Sequence, residues 1–456
     1  MYKRKIETYF QSWKKSENRK PLVIKGVRQC GKTSSVLKFA KEHYKEVIYI
    51  DFHQQPQLKS IFNGSLDINY LTVAISAAIP SAIFEPYNTC LIFDEIQDCA
   101  KARSSLKFFK LDGRYDVICT GSLLGVNGYR SDLQDDREAS IPVGFEDIID
   151  MYPMDFEEWT WANGIKKPVF DLLHKCLVNE TPVPDAIHNR MRELFLQYII
   201  VGGMPEAIKT FLDTHDINQT RKVQRQIVDE YKIDMVKYAL PEDKPHIREC
   251  FESIPRQLGR DNKKFTYSIV KKGGRSKDFK GSLQWIEDAG IVRRCYNLSI
   301  PELPFSGNAI HNNFKIYMAD TGLFISMLDE GTQFDILNGD LFGFKGAIFE
   351  NAIADIFGKM GRQLYYFQKT DSLEIDFFIR YKGKSTPVEC KAKNGNAKSL
   401  KTLLNHPEKY HIESGIKVGD YNIGRENNVL TLPTIWHSCS LPSKSKRFKR
   451  CDFIIA

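Results

Sequence analysis

The chain has 456 residues, a length that predicts about three domains at roughly 150 residues each. Hydrophobic residues make up 42% and charged residues 27%, which is the composition of a folded globular protein and excludes a disordered chain. Lys and Arg number 65 against 57 Asp and Glu, a net charge of +8. This permits a nucleic-acid partner without requiring one.

No window approaches eighteen consecutive apolar residues, so no transmembrane helix is expected. The first twenty residues, MYKRKIETYFQSWKKSENRK, are charged throughout and lack the apolar core of a signal peptide. Ten cysteines are scattered from Cys30 to Cys451, none in a C-x-x-C pair. That pattern is neither a zinc framework nor a disulfide scaffold, and it reads as reduced thiols in a cytoplasmic protein.

In chain order, PLVI at 21–24 reads as a short buried strand. It runs into GVRQCGKT and then a helical stretch, SSVLKFAKEHY. VIYIDF at 47–52, TCLIFDEI at 89–96 and YDVICTGS at 115–122 read as three further strands. Strands alternating with helices predict a parallel, doubly wound α/β domain. The aromatic and acidic segment IPVGFEDIIDMYPMDFEEW, within 131–160, looks less regular. From about 185 to 240 the pattern is helical, with a break at VGGMPEA. Between 245 and 300, TYSIVKKGG gives a short helix and turn. SKDFKGSLQWIEDAG gives a helix that stops at Gly290, and IVRRCYNLSI an alternating strand. Helix, turn, helix, strand is a winged-helix layout. From about 340, the helix GFKGAIFENAIADIFGKM leads into strands LYYFQK, LEIDFFIRY and STPVECKA. A basic run, SKSKRFKR, lies near the end.

The sharpest chemical signal is GVRQCGKT, a full G-x-x-x-x-G-K-[ST] pattern between a strand and a helix. Its residues Gly26, Val27, Arg28, Gln29, Cys30, Gly31, Lys32, Thr33 and Ser34 are expected to cradle a nucleotide. The glycines let backbone N–H groups wrap phosphates, and the helix N-terminus favours the anion. Lys32 is expected at the β- and γ-phosphates and Thr33 on Mg²⁺. Asp94, at the end of CLIFDEI, is expected in the Mg²⁺ shell, with Glu95 beside it to orient or deprotonate the attacking water. Thr120, Gly121 and Ser122 end another strand and are expected to bring a hydroxyl near the γ-phosphate. ATP and Mg²⁺ are therefore the expected cofactors.

GVRQCGKT, LIFDEIQD, ICTGSLL, PMDFEEW and VGGMPEA together resemble the AAA+-superfamily ATPases of bacteria and archaea that carry a C-terminal nuclease-like domain of unknown function. The resemblance spans about residues 20 to 400. It implies an α/β chain with a P-loop parallel-sheet ATPase domain at 1–165, a helical region at 166–244 and a winged-helix-like domain at 245–305. A restriction-endonuclease-like α/β domain would fill 306–456. It also implies a homo-oligomer, because AAA+ sites usually sit between subunits. One departure concerns hydrolysis. The family often shows Gly-Arg before the Pro-aromatic segment, whereas this chain has Gly144-Phe145. Arg103, Arg114, Arg130 and Arg137 are the other candidates for an arginine finger.

The C-terminal strands carry a second pattern. Asp376 lies in LEIDFFI, with Glu374 two residues earlier on the same expected strand face. Glu389 and Lys391 share a face in VECKAK, and Glu350 lies on the preceding helix. An acid on one strand followed by E-x-K on the next is similar to the PD-(D/E)xK nuclease core. Asp376 and Glu389 are expected to share a divalent cation, with Glu350 as an outer ligand and Lys391 supporting the attacking water or the phosphorane. Two outputs stay open: metal-dependent phosphodiester cleavage, or a nucleotide-controlled DNA- or protein-binding switch whose nuclease-like domain is not catalytic.

Residues 263–280 hold Lys263, Lys264, Lys271, Lys272, Arg275, Lys277 and Lys280 against one acid, Asp278. In a winged helix this segment covers the surface that meets DNA phosphates, with Lys277 and Lys280 on the recognition helix and Arg293 and Arg294 on the wing. DNA is the expected partner and a membrane is not.

Overall fold

A computed structural model describes residues 2–127, 142–237, 239–339, 344–370, 372–391 and 397–434. The chain forms two compact units. The first is Met1–Pro153 with the short segments Met235–Leu240 and Asp288–Gly290; the second comprises Met154–Asp234, Pro241–Glu287 and Ile291–Ala456.

The first unit is built on a five-stranded sheet of β1 (Leu22–Gly26), β2 (Glu46–Asp51), β3 (Thr89–Asp94), β4 (Asp116–Ser122) and β5 (Asp147–Asp150). Their spatial order is β2-β3-β4-β1-β5, and every pairing is parallel. All six residues of β3 are buried, as expected of a central parallel strand covered on both faces. Phe52, Phe62, Phe93 and Phe109 pack edge to face or tilted on one side of this sheet. The four strands expected from the sequence are present within a residue or two. β5 was not foreseen; it is a four-residue edge strand inside the segment that looked irregular. Because all five strands are parallel, their C-terminal ends share one edge, where the P-loop leaves β1, Asp94 ends β3 and Thr120 lies near the end of β4.

In the second unit, helices span Phe156–Ala162, Lys167–Val178, Asp185–Val201, Pro205–Thr214 and Ile217–Asp234. PMDFEEW is a helix start. Asp155 accepts from the Glu158 amide and Glu158 reaches back to the Asp155 amide, a capping box. Trp159 is fully buried and donates to the Leu194 carbonyl. The VGGMPEA break is a close-packed turn. The Gly203 amide donates to Asp320 at 2.7 Å, and a Cβ at Gly203 would overlap the Met154 carbonyl. Beside it the buried Lys359 bonds Asp355, the Met154 carbonyl and the Tyr198 hydroxyl.

Helices Asp243–Leu258, Tyr267–Val270 and Ser276–Asp288 follow, then β6 (Val292–Leu298) and β7 (Ala309–Met318) as an antiparallel pair. The helix Lys345–Lys359 leads into β8 (Leu364–Thr370), β9 (Leu373–Ile375), β10 (Phe377–Tyr381) and β11 (Lys384–Lys391). The helix Lys398–Leu404 then precedes β12 (Gly415–Gly419), β13 (Gly424–Glu426) and β14 (Val429–Pro433). These strands form two sheets, β7-β6-β8-β9 and β10-β11-β12-β14-β13. LEIDFFIRY is therefore not one strand. The chain passes from the first sheet to the second at Asp376, a bend of the kind that joins two sheets.

Among the described residues no helix is long and apolar enough to cross a membrane. The eight described cysteines are free thiols, seven of them buried. Cys439, Cys451 and the basic run at 444–450 lie outside the described residues.

Candidate nucleotide site

The P-loop joins β1 to the helix Lys32–His43. Gln29 and Gly31 take left-handed backbone angles, φ 62° and 94°, and Gly31 caps the helix start. Only glycine adopts such an angle without a Cβ penalty. Gly26 meets a different constraint: a Cβ there would overlap the Met151 carbonyl. Gly26→Ala is expected to cost about 1–3 kcal/mol, the usual range for overpacking, read as a lower midpoint in thermal or urea unfolding.

Lys32 is buried, and its ammonium donates to the carbonyls of Gly26 (3.0 Å) and Val27 (2.9 Å). An ammonium has three donors, so one N–H is left for a phosphate oxygen. Thr33 Oγ1 donates to Asp94 Oδ2 at 2.9 Å. Thr120 Oγ1 also donates to Asp94, and Tyr49 OH donates to it at 2.7 Å. Burial and Asp94 together raise the Tyr49 phenol well above its ordinary value, so it stays a donor. Asp94 is thus held by hydroxyls from β2, β4 and the P-loop helix. Glu95 has φ 50° and its amide donates to Asp94 at 3.1 Å, while its carboxylate accepts from Gln97. The Ser122 oxygen accepts from the Gly125 amide and caps the short helix Leu123–Val126. Thr120, not Ser122, is therefore the strand-end hydroxyl beside Asp94.

Two supports were not legible in the sequence. Tyr49 is one. The other is Arg4, a buried residue whose guanidinium donates to the carbonyls of Cys30 (2.8 Å) and Tyr152 (2.7 Å). It fastens the P-loop from 26 residues upstream, and no local motif announces that contact. Of the finger candidates, Arg103 is buried against Glu146 at 2.7 Å and donates to the Val126 carbonyl. Arg114 is paired with Asp112 at 2.7 Å. Arg130 and Arg137 fall outside the described residues.

The C-terminal constellation is arranged differently from the expectation. Glu350 accepts from Lys263 (2.6 Å), Lys315 (2.9 Å) and Tyr317. Burial would raise its pKa, but Lys263 and Lys315 outweigh it and hold the carboxyl well below the usual carboxylate range. Asp376 accepts from the Cys390 amide at 2.7 Å. Desolvation, then Glu350, push it up to about 7. Glu389 pairs with Lys391 at 2.6 Å and accepts from the Leu400 amide at 3.2 Å. Among the described residues, no group of three or more His, Cys, Asp or Glu side chains is placed to hold a metal ion.

The basic segment also departs from the expected layout in part. Lys264, Lys271, Lys272, Arg275, Lys277 and Lys280 are exposed, Lys271 being paired with Glu249 at 3.2 Å. Lys263 is turned inward to Glu350. Arg294, expected on the wing, is buried on β6 and paired with Glu287 at 3.0 Å. It faces the protein, so it is not a phosphate contact.

Residues 18–160 match a family profile described as an AAA domain. Residues 192–333 and 345–435 match two domains of unknown function, DUF8612 and DUF4143. No curated protein matches the chain. Similar solved structures include a Walker-type ATPase of Pyrococcus abyssi, 14% identical, covering 72% of this chain and 96% of that one with a TM-score of 0.40. The Orc1 protein of Aeropyrum pernix in complex with DNA is 12% identical, with coverage of 75% and 94% and a TM-score of 0.28. AMPPCP-bound DnaA from Aquifex aeolicus is 11% identical, with coverage of 62% and 86% and a TM-score of 0.28. With its five-stranded parallel sheet and the AAA profile match, the first unit has the core of an AAA+-type P-loop ATPase.

Proposed function

We propose that the protein binds ATP with Mg²⁺, hydrolyses it, and uses the nucleotide cycle to control DNA binding by its second unit. The observation that carries this reading is the convergence of Thr33, Asp94 and Thr120 at the strand ends beside the P-loop helix. A hydroxyl and a carboxylate in contact form a hard oxygen donor set that suits Mg²⁺. Thr33 and Asp94 would hold the ion, which neutralises charge on the β- and γ-phosphates. Lys32 binds phosphate oxygens, and Glu95 orients or deprotonates water. Phosphate release is expected to require Mg²⁺. Unchanged release in excess chelator would contradict the assignment.

The exposed basic residues from Lys264 to Lys280 support the DNA part. Helices Asp243–Leu258, Tyr267–Val270 and Ser276–Asp288, followed by the β6–β7 pair, suit a winged helix, with Lys277 and Lys280 on its recognition helix. Replacing both with glutamine should weaken binding to duplex DNA and reduce the salt slope by about 1–2, at about 0.9 per phosphate contact. An unchanged slope would assign this face to another partner.

For the C-terminal region, the helix Lys345–Lys359, the strand pair β10–β11 and the E-x-K at 389–391 support a nuclease-like fold. The ion pairing around Glu350 favours a non-catalytic role over phosphodiester cleavage.

A further inference from the structure

The acid cluster of the C-terminal domain already contains two cations. Lys315, on β7, is 1% exposed and lies 2.9 Å from Glu350 and 2.5 Å from Glu374. Lys263 lies 2.6 Å from the other Glu350 oxygen. Tyr317, two residues along β7 from Lys315, donates to Glu350 as well. Both carboxylate oxygens of Glu350 are thus taken by ammonium groups. The two lysines belong to the DUF8612 match and the acids Glu350, Glu374 and Asp376 to the DUF4143 match. One domain supplies the positive charge for the other's acids.

We infer that Lys263 and Lys315 occupy the cation position of this nuclease-like centre, so that the domain takes no divalent ion and the cluster instead fastens the two domains together. The charges of both ammoniums also reach Asp376, so a divalent ion approaching Asp376 from the side of Glu350 would be repelled by them. Lys315 cannot retire to solvent, because its whole side chain is buried and packs over the Tyr366 ring, 4.8 Å from its centroid. Removing Lys315 leaves Glu374 without that ion pair and the buried Glu350 with Lys263 alone, and removing Lys263 leaves Glu350 with Lys315 alone. Either loss gives the acid cluster an excess of negative charge, a costly state that a metal ion can relieve. The inference therefore makes a positive prediction: taking a lysine away should create a metal site.

The inference rests on the nuclease-like reading, and the test separates the two. Mn²⁺ is titrated into the full-length, nucleotide-free protein, and the free ion is followed by electron paramagnetic resonance. Wild type and Asp376→Asn should give the same isotherm. Lys315→Met should gain one site at least tenfold tighter than any in wild type, and Asp376→Asn in that background should abolish it. If Lys315→Met does not fold, Lys263→Met, at a less buried position, should show the same gain more weakly. Wild-type binding that Asp376→Asn removes would overturn the inference while keeping the nuclease-like reading. No gain in either folded lysine variant would overturn the inference and leave the nuclease-like fold, which rests on the helix and the β10–β11 pair, standing.

Discussion

Lys32→Ala should lower the ATP turnover rate by about 10²–10³-fold, the usual effect of removing one preorganised charge-stabilising donor. Lys32 is buried at the start of its helix and fixed by two loop carbonyls, so its charge is delivered with little reorganisation. Alanine is a good helix former at that position, and the loop keeps its backbone angles at Gln29 and Gly31. The fold should therefore survive, with a circular dichroism spectrum matching wild type. Turnover in the variant within threefold of wild type would remove the P-loop from the mechanism.

Glu95→Gln should separate binding from chemistry. Its carboxylate is held by Gln97 and its backbone by Asp94, so an isosteric amide keeps the local geometry. Thr33 and Asp94, the proposed Mg²⁺ ligands, are untouched, and ATP affinity should stay within a few-fold of wild type. Hydrolysis should fall by about 10²–10⁴-fold, the range for loss of a general base. The variant is then an ATP-bound trap. If the cycle controls DNA binding, the trap should show one fixed DNA affinity in ATP, different from its affinity without nucleotide. Parallel loss of affinity and turnover would instead make Glu95 a binding residue.

The strongest sequence signals were local ones. GVRQCGKT is contiguous and sits between an apolar strand and a helix, so its loop and helix follow from glycine geometry and phosphate chemistry alone. Asp94 and Thr120 were visible because each ends a hydrophobic strand, and parallel strands bring such ends to one edge of the sheet. Arg4 and Tyr49 were not visible. Arg4 reaches carbonyls 26 and 148 residues away, and Tyr49 reads as an ordinary β-strand aromatic. The C-terminal acids were found by spacing, but their cations were not. Lys263 is 87 residues and Lys315 35 residues from Glu350, and Lys263 stands in a run of basic residues that otherwise faces water. The bend at Asp376 was hidden because LEIDFFIRY is uninterrupted by glycine or proline. The short strands β5 and β13 gave too few residues for alternation to register.

The central claim is a Mg²⁺-dependent ATP site built on Lys32, Thr33 and Asp94. Its most direct test is equilibrium titration of the purified protein with a fluorescent ATP analogue, with Mg²⁺ and with excess chelator, for wild type and Lys32→Ala. The account predicts one saturable site per chain that weakens at least tenfold without Mg²⁺ and at least tenfold in Lys32→Ala. No saturable binding in wild type, or undiminished binding in Lys32→Ala, would contradict it.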